Sequence, residues 1–256
     1  MEPQTLIFVF AAIMFFAVAA FAYVPLTLEL SSVRLKQLTA IGAGVLIGSA
    51  FLVIIPEALE IFEGHEEVHI EPSTIGLAIL GGFVLMLLLE IFGLPHAVHH
   101  DEDKDLLGLS ATIGLLVHAL VDGIAVGASV SSSNETGLIV FVAIMLHKGP
   151  AAFGLSSFLK HIKIKESKSK LYLFAFALAS PIMAILTYFV LKDTSFATDD
   201  NIGLALLFSA GTFIYVATVD VLPEVHSHDH NHDPPVWFVI LGIILVFLTT
   251  LIGHTH

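Results

Sequence analysis

The chain alternates between long, uninterrupted apolar stretches and short polar segments that hold most of the charged residues. Apolar runs of roughly 18–25 residues match the length that an α-helix needs to cross about 30 Å of hydrocarbon. Transmembrane strands would instead show apolar and polar residues in alternation. The pattern predicts an all-α polytopic membrane protein with eight transmembrane spans, at Thr5–Leu28, Leu38–Ile61, Ser73–Leu94, Leu106–Ser129, Gly137–Leu159, Leu171–Leu191, Ile202–Leu222 and Val236–Gly253.

The composition agrees with a chain that lies in the lipid bilayer. Of its 256 residues, 56% are hydrophobic and 13% are charged, and the mean hydropathy is +0.92. Charged residues make up about 25% of ordinary soluble domains. A net charge of −13 argues against a nucleic-acid partner. Because the chain has no cysteine, any metal site must use histidine and carboxylate ligands.

Lysine and arginine are concentrated in the loops on one side of the predicted bundle. Positive residues in short loops mark the cytoplasmic side of a membrane protein. The opposite loops contain only Lys192, and Lys148 lies within a predicted span. We therefore predict that both termini face the outer, non-cytoplasmic side. The residues that mark the cytoplasmic side are Arg34, Lys36, Lys104, Lys160, Lys163, Lys165, Lys168 and Lys170.

Two predicted spans contain the same short motif. The second span reads Ala43-Gly44 and then Pro56-Glu57, and the seventh reads Ala210-Gly211 and then Pro223-Glu224 with the same spacing. The predicted topology makes these spans run in opposite directions. An inverted repeat of spans 1–3 and 6–8 around spans 4–5 would leave this pattern, and transporters often have this design. Alanine, glycine and proline are also common in membrane helices, so the motif could arise without a repeat.

The fourth and fifth spans contain ionisable residues far from either end. His118 lies twelve residues into the fourth span, roughly 18 Å from its end, and His147 lies ten residues into the fifth, roughly 15 Å from its end. In a hydrocarbon core about 30 Å thick, both therefore reach the midplane. Asp122 lies one helical turn after His118, on the same face. A charged residue at this depth costs about 2.5–3.5 kcal/mol, so a partner or a function is expected.

His118, Asp122 and His147 together form a candidate metal site. Two imidazoles and one carboxylate suit Zn²⁺, with a fourth position open for water or another ligand. The same donor set tolerates Fe²⁺, Mn²⁺ or Cd²⁺. In the alternative interpretation the two histidines only hydrogen-bond across the bundle, and Asp122 pairs with Lys148.

Three stretches of the chain resemble one family of membrane transporters. The stretch from His118 to Ala128 (HALVDGIAVGA) resembles the fourth-span signature of the ZIP (ZRT/IRT-like) metal transporters. The segments from His147 to Leu155 (HKGPAAFGL) and from Ser209 to Thr218 (SAGTFIYVAT), with Leu222 to Val225 (LPEV), are similar to the branch of the ninth human ZIP paralogue. The resemblance extends over the whole eight-span layout. Residues 1–256 would then form a single transporter domain.

The resemblance implies uptake of Zn²⁺, and often of Fe²⁺ or Mn²⁺, into the cytoplasm, with no chemical reaction catalysed. It also implies a four-helix transport bundle that moves against a scaffold, and often a homodimer. His118, Asp122 and His147 match primary metal ligands. Ala119, Lys148 and Ala151 depart from the commoner family pattern, in which polar or acidic residues complete a second metal site. We therefore expect a mononuclear centre.

Lys148 stands where a bridging carboxylate would contact the second ion. One hypothesis is that its ammonium replaces that ion and releases a proton when the metal binds, which would couple transport to protons. The alternative is a fixed salt bridge to Asp122.

Other polar residues are candidates for the ion path. Glu57 falls near the outer end of the second span, where it could receive an incoming ion. Glu90, Asp220 and Glu224 fall near inner ends, where they could pass the ion on. Carboxylates at helix ends also simply face headgroups or water, so each of these roles is a hypothesis.

Two histidine-rich segments are predicted on the cytoplasmic side, at about 95–105 and 225–235. Such tracts bind metals weakly, so buffering or sensing of released ions is expected. The outer loop His65-Glu66-Glu67-Val68-His69 could gather ions or be an ordinary solvated turn. The histidines of the two cytoplasmic segments are His96, His99, His100, His226, His228, His230 and His232.

A second class of function remains open from the residues alone. An intramembrane zinc-dependent lipid hydrolase also uses histidine and aspartate from several helices. It would need an activated water, a general base and an oxyanion donor at one site. The extra group nearest the predicted ligands is the cationic Lys148 instead.

Overall fold

The computed structural model is all-helical in the residues that it describes, which are 2–27, 31–63, 70–93, 102–192, 194, 198–223 and 236–253. Eight helices, α1 to α8, correspond one to one to the predicted spans. Helix α2 consists of Ser32–Ser49, a π-helical turn at Ala50–Ile54, and Ile55–Glu63, while α7 consists of Asp199–Tyr215 and a π-helical turn at Val216–Val221. The others are α1 Pro3–Thr27, α3 Pro72–Gly93, α4 Glu102–Ser132, α5 Asn134–His161, α6 Glu166–Leu191 and α8 Val236–Gly253.

The helices are long and apolar enough to confirm a multi-pass membrane protein. Within the described residues, seven of them reach the length and hydropathy of a membrane span, and α8 supplies a shorter apolar stretch at Val236–Leu248. Several helices extend beyond the predicted spans. Helix α4 has 31 residues and begins with Glu102-Asp103-Lys104-Asp105. At 1.5 Å per residue it is longer than the hydrocarbon core, so its polar first turn lies outside that core.

Helix pairing divides the molecule into two groups. Helices α1, α4, α5 and α6 pack on one another and form a four-helix bundle. Outside the bundle, α2 packs on α8 and α3 packs on α7. Contacts of α2 with α5 and of α4 with α7 join the two groups. The two candidate ligand helices, α4 and α5, thus belong to the same bundle, and they are neighbours because only Ser133 separates them in the chain.

Glycine allows the closest helix contacts. A Cβ atom at Gly123 would lie 2.6 Å from the Ser180 carbonyl oxygen, and one at Gly127 would lie 2.4 Å from the Ala184 carbonyl oxygen. These two positions are one helical turn apart on α4 and face α6. Gly123 and Gly127 therefore form the small-residue face through which α4 packs against α6.

Four further glycines form matching contacts outside the bundle. At each, an added Cβ would lie between 1.9 and 2.2 Å from a backbone carbonyl oxygen of the neighbouring helix. Two of the contacts join α2 to α8, and two join α3 to α7. The glycine and the carbonyl residue of α7 follow those of α2 at one constant interval in the sequence. The glycine and the carbonyl residue of α8 follow those of α3 at another constant interval. The pairs are Gly44 with Val239, Gly242 with Ile41, Gly211 with Ile79, and Gly82 with Phe208.

The π-helical turns of α2 and α7 have a common cause in the sequence. Proline has no N–H group, and its ring clashes with the carbonyl four residues earlier. Pro56 and Pro223 each follow a π-helical turn by two residues. In the first turn the Ile55 N–H donates to the Ala50 carbonyl, five residues back. The equivalent bond in the second turn runs from Leu222 to Ala217.

Candidate metal site

The structure brings His118, Asp122 and His147 together in the interior of the protein. Their ligand atoms all lie within 4.8 Å of one another, and the three side chains are buried. Helix α4 supplies His118 and Asp122 from one face, and α5 supplies His147 from the facing side. The agreement in depth that the sequence predicts for these residues therefore corresponds to a real cluster.

One oxygen of Asp122 is the centre of this cluster. Asp122 Oδ2 lies 3.2 Å from His118 Nε2, 3.3 Å from His147 Nε2 and 2.5 Å from Lys148 Nζ. All four side chains are at most 1% exposed. A carboxylate in so dry an environment is stable because several positive or polar groups surround it.

The His147 ring is oriented by the backbone of its own helix. Its Nδ1 lies 3.1 Å from the carbonyl oxygen of Ala143, one turn earlier. A carbonyl can only accept a hydrogen bond, so the Nδ1 of His147 carries the proton. In the neutral ring, Nε2 then presents its lone pair to the cluster. A backbone carbonyl commonly fixes a metal-binding histidine in this way.

The His118 ring is oriented by Ser209 of α7. The Ser209 hydroxyl donates to Asp122 Oδ1 at 2.9 Å and lies 2.7 Å from His118 Nδ1. Because a hydroxyl has a single proton, His118 Nδ1 must be the donor in the second bond. In the neutral ring, His118 Nε2 is then unprotonated. It makes no hydrogen bond within the part of the chain that the structure describes.

The two imidazoles and the carboxylate together form a set of electron-pair donors that point at one another. In neutral rings, both Nε2 atoms are unprotonated and both face Asp122 Oδ2. This arrangement needs a cation between the donors. A divalent metal ion accepts nitrogen and oxygen ligands of this kind at about 2.0–2.2 Å.

Lys148 supplies a cation to the cluster. Its side chain is fully buried, its Nζ lies 2.5 Å from Asp122 Oδ2, and its Nζ is also 5.6 Å from the centre of the Phe176 ring. This contact is a salt bridge between Lys148 and Asp122, and the coupling of Lys148 to proton movement stays a prediction.

Aromatic packing closes one side of the cluster. The ring centres of Phe213 and His118 are 4.2 Å apart, and those of Phe213 and His147 are 5.9 Å apart. Phe213 lies one turn after Ser209 on α7. The sequence alone does not predict that either residue belongs to the site. The signal that indicates Ser209 is a polar serine within an apolar span, in the segment that resembles the family.

The other candidate residues lie outside this cluster. Glu57 of α2 is half-buried, and its Oε1 has no hydrogen-bond partner among the described residues. Glu90 of α3 accepts a hydrogen bond from the hydroxyl of Tyr215, and Asp220 lies in the π-helical turn of α7. Glu224 lies outside the described residues. So do all the predicted histidine ligands of the segments at about 95–105 and 225–235. The same is true of His65 and His69.

Comparison with known proteins identifies the family. The family model described as ZIP Zinc transporter matches residues 4–106 and 95–250. The chain belongs to the ZIP zinc transporter family. It is 39% identical to Zinc transporter ZIP9 of Xenopus tropicalis over 91% of this chain and 92% of that protein. It is also 39% identical to Zinc transporter ZIP9 of Micropogonias undulatus, over 91% and 93% of the two chains.

A more distant relative marks the breadth of the similarity. Zinc transporter zipt-7.2 of Caenorhabditis elegans is 23% identical over 85% of this chain and 58% of its own length. Membership of the ZIP family makes the protein a metal-ion transporter and not an enzyme. The family therefore decides against the alternative of a lipid hydrolase.

The two hydrogen bonds of Ser209 give a prediction about stability. Ser209→Ala should lower the free energy of unfolding by about 1–3 kcal/mol, because two buried polar groups lose a partner. Ser157→Ala is a matched control, since Ser157 is also fully buried but its hydroxyl has no hydrogen-bond partner in the described residues. The midpoint of thermal unfolding in detergent measures the stability of both variants. Equal midpoints for the two variants would contradict the assigned contacts of Ser209.

Proposed function

We propose that this protein imports divalent metal ions, above all zinc, into the cytoplasm through a mononuclear site formed by His118, Asp122 and His147. The observation that carries the proposal is the convergence of the Nε2 atoms of two imidazoles on one buried carboxylate oxygen. Two nitrogens and one oxygen suit Zn²⁺, and the site also accepts Fe²⁺, Mn²⁺ or Cd²⁺. The printed names of the relatives support zinc as the principal substrate.

A site with three protein ligands suits a transported ion. The fourth coordination position stays open for water, so the ion can exchange ligands when it enters and leaves. Ala119 and Ala151 are fully buried and apolar, and they offer no ligands for a second ion beside the first. These features support a centre that holds one ion.

Lys148 acts in this proposal as a resident cation of the empty site. Its ammonium contacts the same oxygen, Asp122 Oδ2, that faces both histidines. An incoming metal ion must displace the ammonium from this oxygen. The bound metal ion is then repelled by the positive charge of the ammonium nearby. The lysine therefore weakens metal binding and favours release.

The remaining polar groups form the entry and release path. Glu57 receives the ion near the outer end of α2, and its unpartnered carboxylate oxygen supports this role. Glu90, Asp220 and Glu224 pass the ion towards the cytoplasm. The histidines of the two cytoplasmic segments then buffer it.

The matched glycine contacts and π-helical turns support an inverted repeat of spans 1–3 and 6–8. The α2–α8 contacts have equivalents in α3–α7, and the turn before Pro56 has an equivalent before Pro223. Such a repeat provides two halves that exchange inward and outward arrangements. In this proposal the bundle of α1, α4, α5 and α6 carries the ligands. It moves against the group that contains Ser209 and Phe213.

The proposed orientation places both termini on the outer side. A homodimer in the membrane remains a prediction from the resemblance to the family. The distribution of lysine and arginine carries the orientation. Since the chain contains no cysteine, single introduced cysteines report the side without interference. Lys165→Cys should react with an impermeant maleimide only after cells are permeabilised, and Glu135→Cys should react in intact cells. The reverse labelling pattern would overturn the orientation and the direction of transport.

Replacement of the resident cation gives a test on purified protein. Lys148→Met should raise the affinity for zinc at least tenfold, because the metal no longer competes with the ammonium for Asp122 Oδ2. A chromophoric zinc chelator in competition with the protein measures this affinity. Lys192→Met, which removes a positive charge at the exposed end of α6, should leave the affinity unchanged. An unchanged or lower affinity of the Lys148→Met protein would exclude the proposed role.

Zinc uptake by cells tests the function itself. Cells that express the protein should accumulate radioactive zinc in the cytoplasm, and His147→Ala should reduce this uptake at least tenfold by removal of a ligand. His161→Ala is the matched control, since His161 lies in the last turn of the same helix, far from the site. Loss of zinc from the cells would indicate export. Equal uptake by the His147→Ala and wild-type proteins would place the site elsewhere.

A further inference from the structure

A groove of about 150 Å³ opens between α1 and α6 on the outside of the four-helix bundle. Two buried alanines that line it, Ala22 and Ala177, form its floor. Tyr23 also lines the groove and is exposed at its rim. The neighbouring side chains Phe16 and Leu171 are exposed and apolar. In a membrane this groove therefore opens towards lipid.

The groove exists because small side chains lie between larger ones. Phe15 of α1 and Phe174 of α6 both line it, and their ring centres are 6.2 Å apart with the ring planes at 88°. This edge-to-face contact holds the two rings together. Ala19 lies one helical turn after Phe15, and its methyl group is too short to fill the space beside the rings. The resulting recess has apolar walls and the shape that an acyl chain needs.

The two ends of the groove differ in polarity. Tyr23 and Lys170 lie at one end. Phe15 lies eight residues before Tyr23, roughly 12 Å along α1, and Ala177 lies seven residues after Lys170, roughly 10 Å along α6. Tyrosine and lysine are typical of the boundary between membrane and water, where an apolar body meets a polar tip. The groove therefore extends from this boundary into the hydrocarbon.

Lysine side chains surround the polar end of the groove. Lys170 lines the groove itself. Lys160 of α5 donates a hydrogen bond to the carbonyl oxygen of Leu26, another lining residue, at 3.3 Å. Two ammonium groups therefore lie at this end. Residues 160–170 contain five lysines and one acidic residue, Glu166.

The acidic residues near this end do not cancel its positive charge. Glu166 pairs with Lys170 at 2.6 Å, but both side chains are exposed, so the pair is weak and rearranges readily. Asp105 of α4 pairs with Lys168 at 2.6 Å. Lys168 is two residues before Lys170, which is a rotation of roughly 200° around the helix, so Asp105 lies on the side of α6 away from the groove. The surplus of positive charge matches a negative headgroup, and lysine-rich segments at a membrane surface attract anionic lipids.

We propose that the groove between α1 and α6 binds one anionic phospholipid. One acyl chain lies against Ala19 and Ala177, and the negatively charged headgroup lies beside Lys170 and Lys160. This inference goes beyond the proposed function, because it does not depend on the transported ion. Both helices of the groove belong to the bundle that contains the metal ligands, so the lipid is a component of that bundle.

Native mass spectrometry of the purified full-length protein tests the proposal, because it counts the lipid molecules bound to each intact chain. The delipidated protein is titrated with phosphatidylglycerol or with phosphatidylcholine that has the same acyl chains. We expect the first phosphatidylglycerol to bind at least fivefold more tightly than the first phosphatidylcholine. Lys170→Met should lower the affinity for phosphatidylglycerol by about fivefold, which is the effect of one lysine near an anionic headgroup. Ala19→Phe should weaken the binding of both lipids, because the added ring occupies the space of the acyl chain.

Two matched variants separate the groove from the surface around it. Lys168→Met removes a positive charge from the same end of α6 but on the side of α4, and Ala20→Phe adds the same ring at the next, exposed position of α1. Both should bind phosphatidylglycerol as the wild type does. Equal affinities of the wild type for the two lipids would overturn the proposal. Equal losses in Lys168→Met and Lys170→Met would also overturn it, since they would indicate diffuse attraction to the lysine-rich segment.

The exposed position of Lys170 keeps the test decisive. If the Ala19→Phe protein does not fold, Lys170→Met decides the outcome, because this substitution changes an exposed side chain. Unchanged binding of phosphatidylglycerol by Lys170→Met would overturn the proposal. Zinc transport is no part of this measurement, so a negative result would leave the proposed function intact.

Discussion

The structure depends on how the charge of one fully buried carboxylate, that of Asp122, is compensated inside a membrane protein. Asp122 lies in the interior of an apolar bundle, and both of its oxygens are engaged there. Oδ1 accepts from Ser209, and Oδ2 accepts from Lys148 and faces both histidines. A charged group in this environment requires compensation. The compensation is local, and it consists of the groups from which a metal site is built.

Close helix packing makes this arrangement possible. Gly123 and Gly127 allow α4 to approach α6, and the hydroxyl of Ser180 on α6 donates to the Ala119 carbonyl at 2.6 Å beside the site. The face of α4 opposite these glycines is then held against α5 and α7. The same principle operates outside the bundle, where Gly44 and Gly211 contact backbone carbonyls of α8 and α3. Glycine therefore fixes the positions of the helices, and the helices fix the positions of the ligands.

Much of the fold could be predicted from the sequence, because a bilayer imposes a length on apolar segments. The same constraint on length placed His118 and His147 at one depth in the membrane. The (i, i+4) spacing from His118 then added Asp122 to the predicted metal site. Ser209 and Phe213 could not be found in this way. Their contribution depends on which face of α7 meets α4, and span length and depth do not determine that. The contact between Lys148 and Asp122 was among those expected from the residues, and the release of a proton from Lys148 on metal binding stays a prediction.

The central claim is that the three converging side chains hold the transported ion. A crystal structure of the zinc-loaded protein, recorded at the zinc absorption edge, tests it most directly. We expect one anomalous peak about 2.0–2.2 Å from His118 Nε2, His147 Nε2 and an Asp122 oxygen. We also expect Lys148 Nζ to move away from Asp122. A peak at other ligands, with the salt bridge between Lys148 and Asp122 intact, would show that these three side chains do not hold the ion.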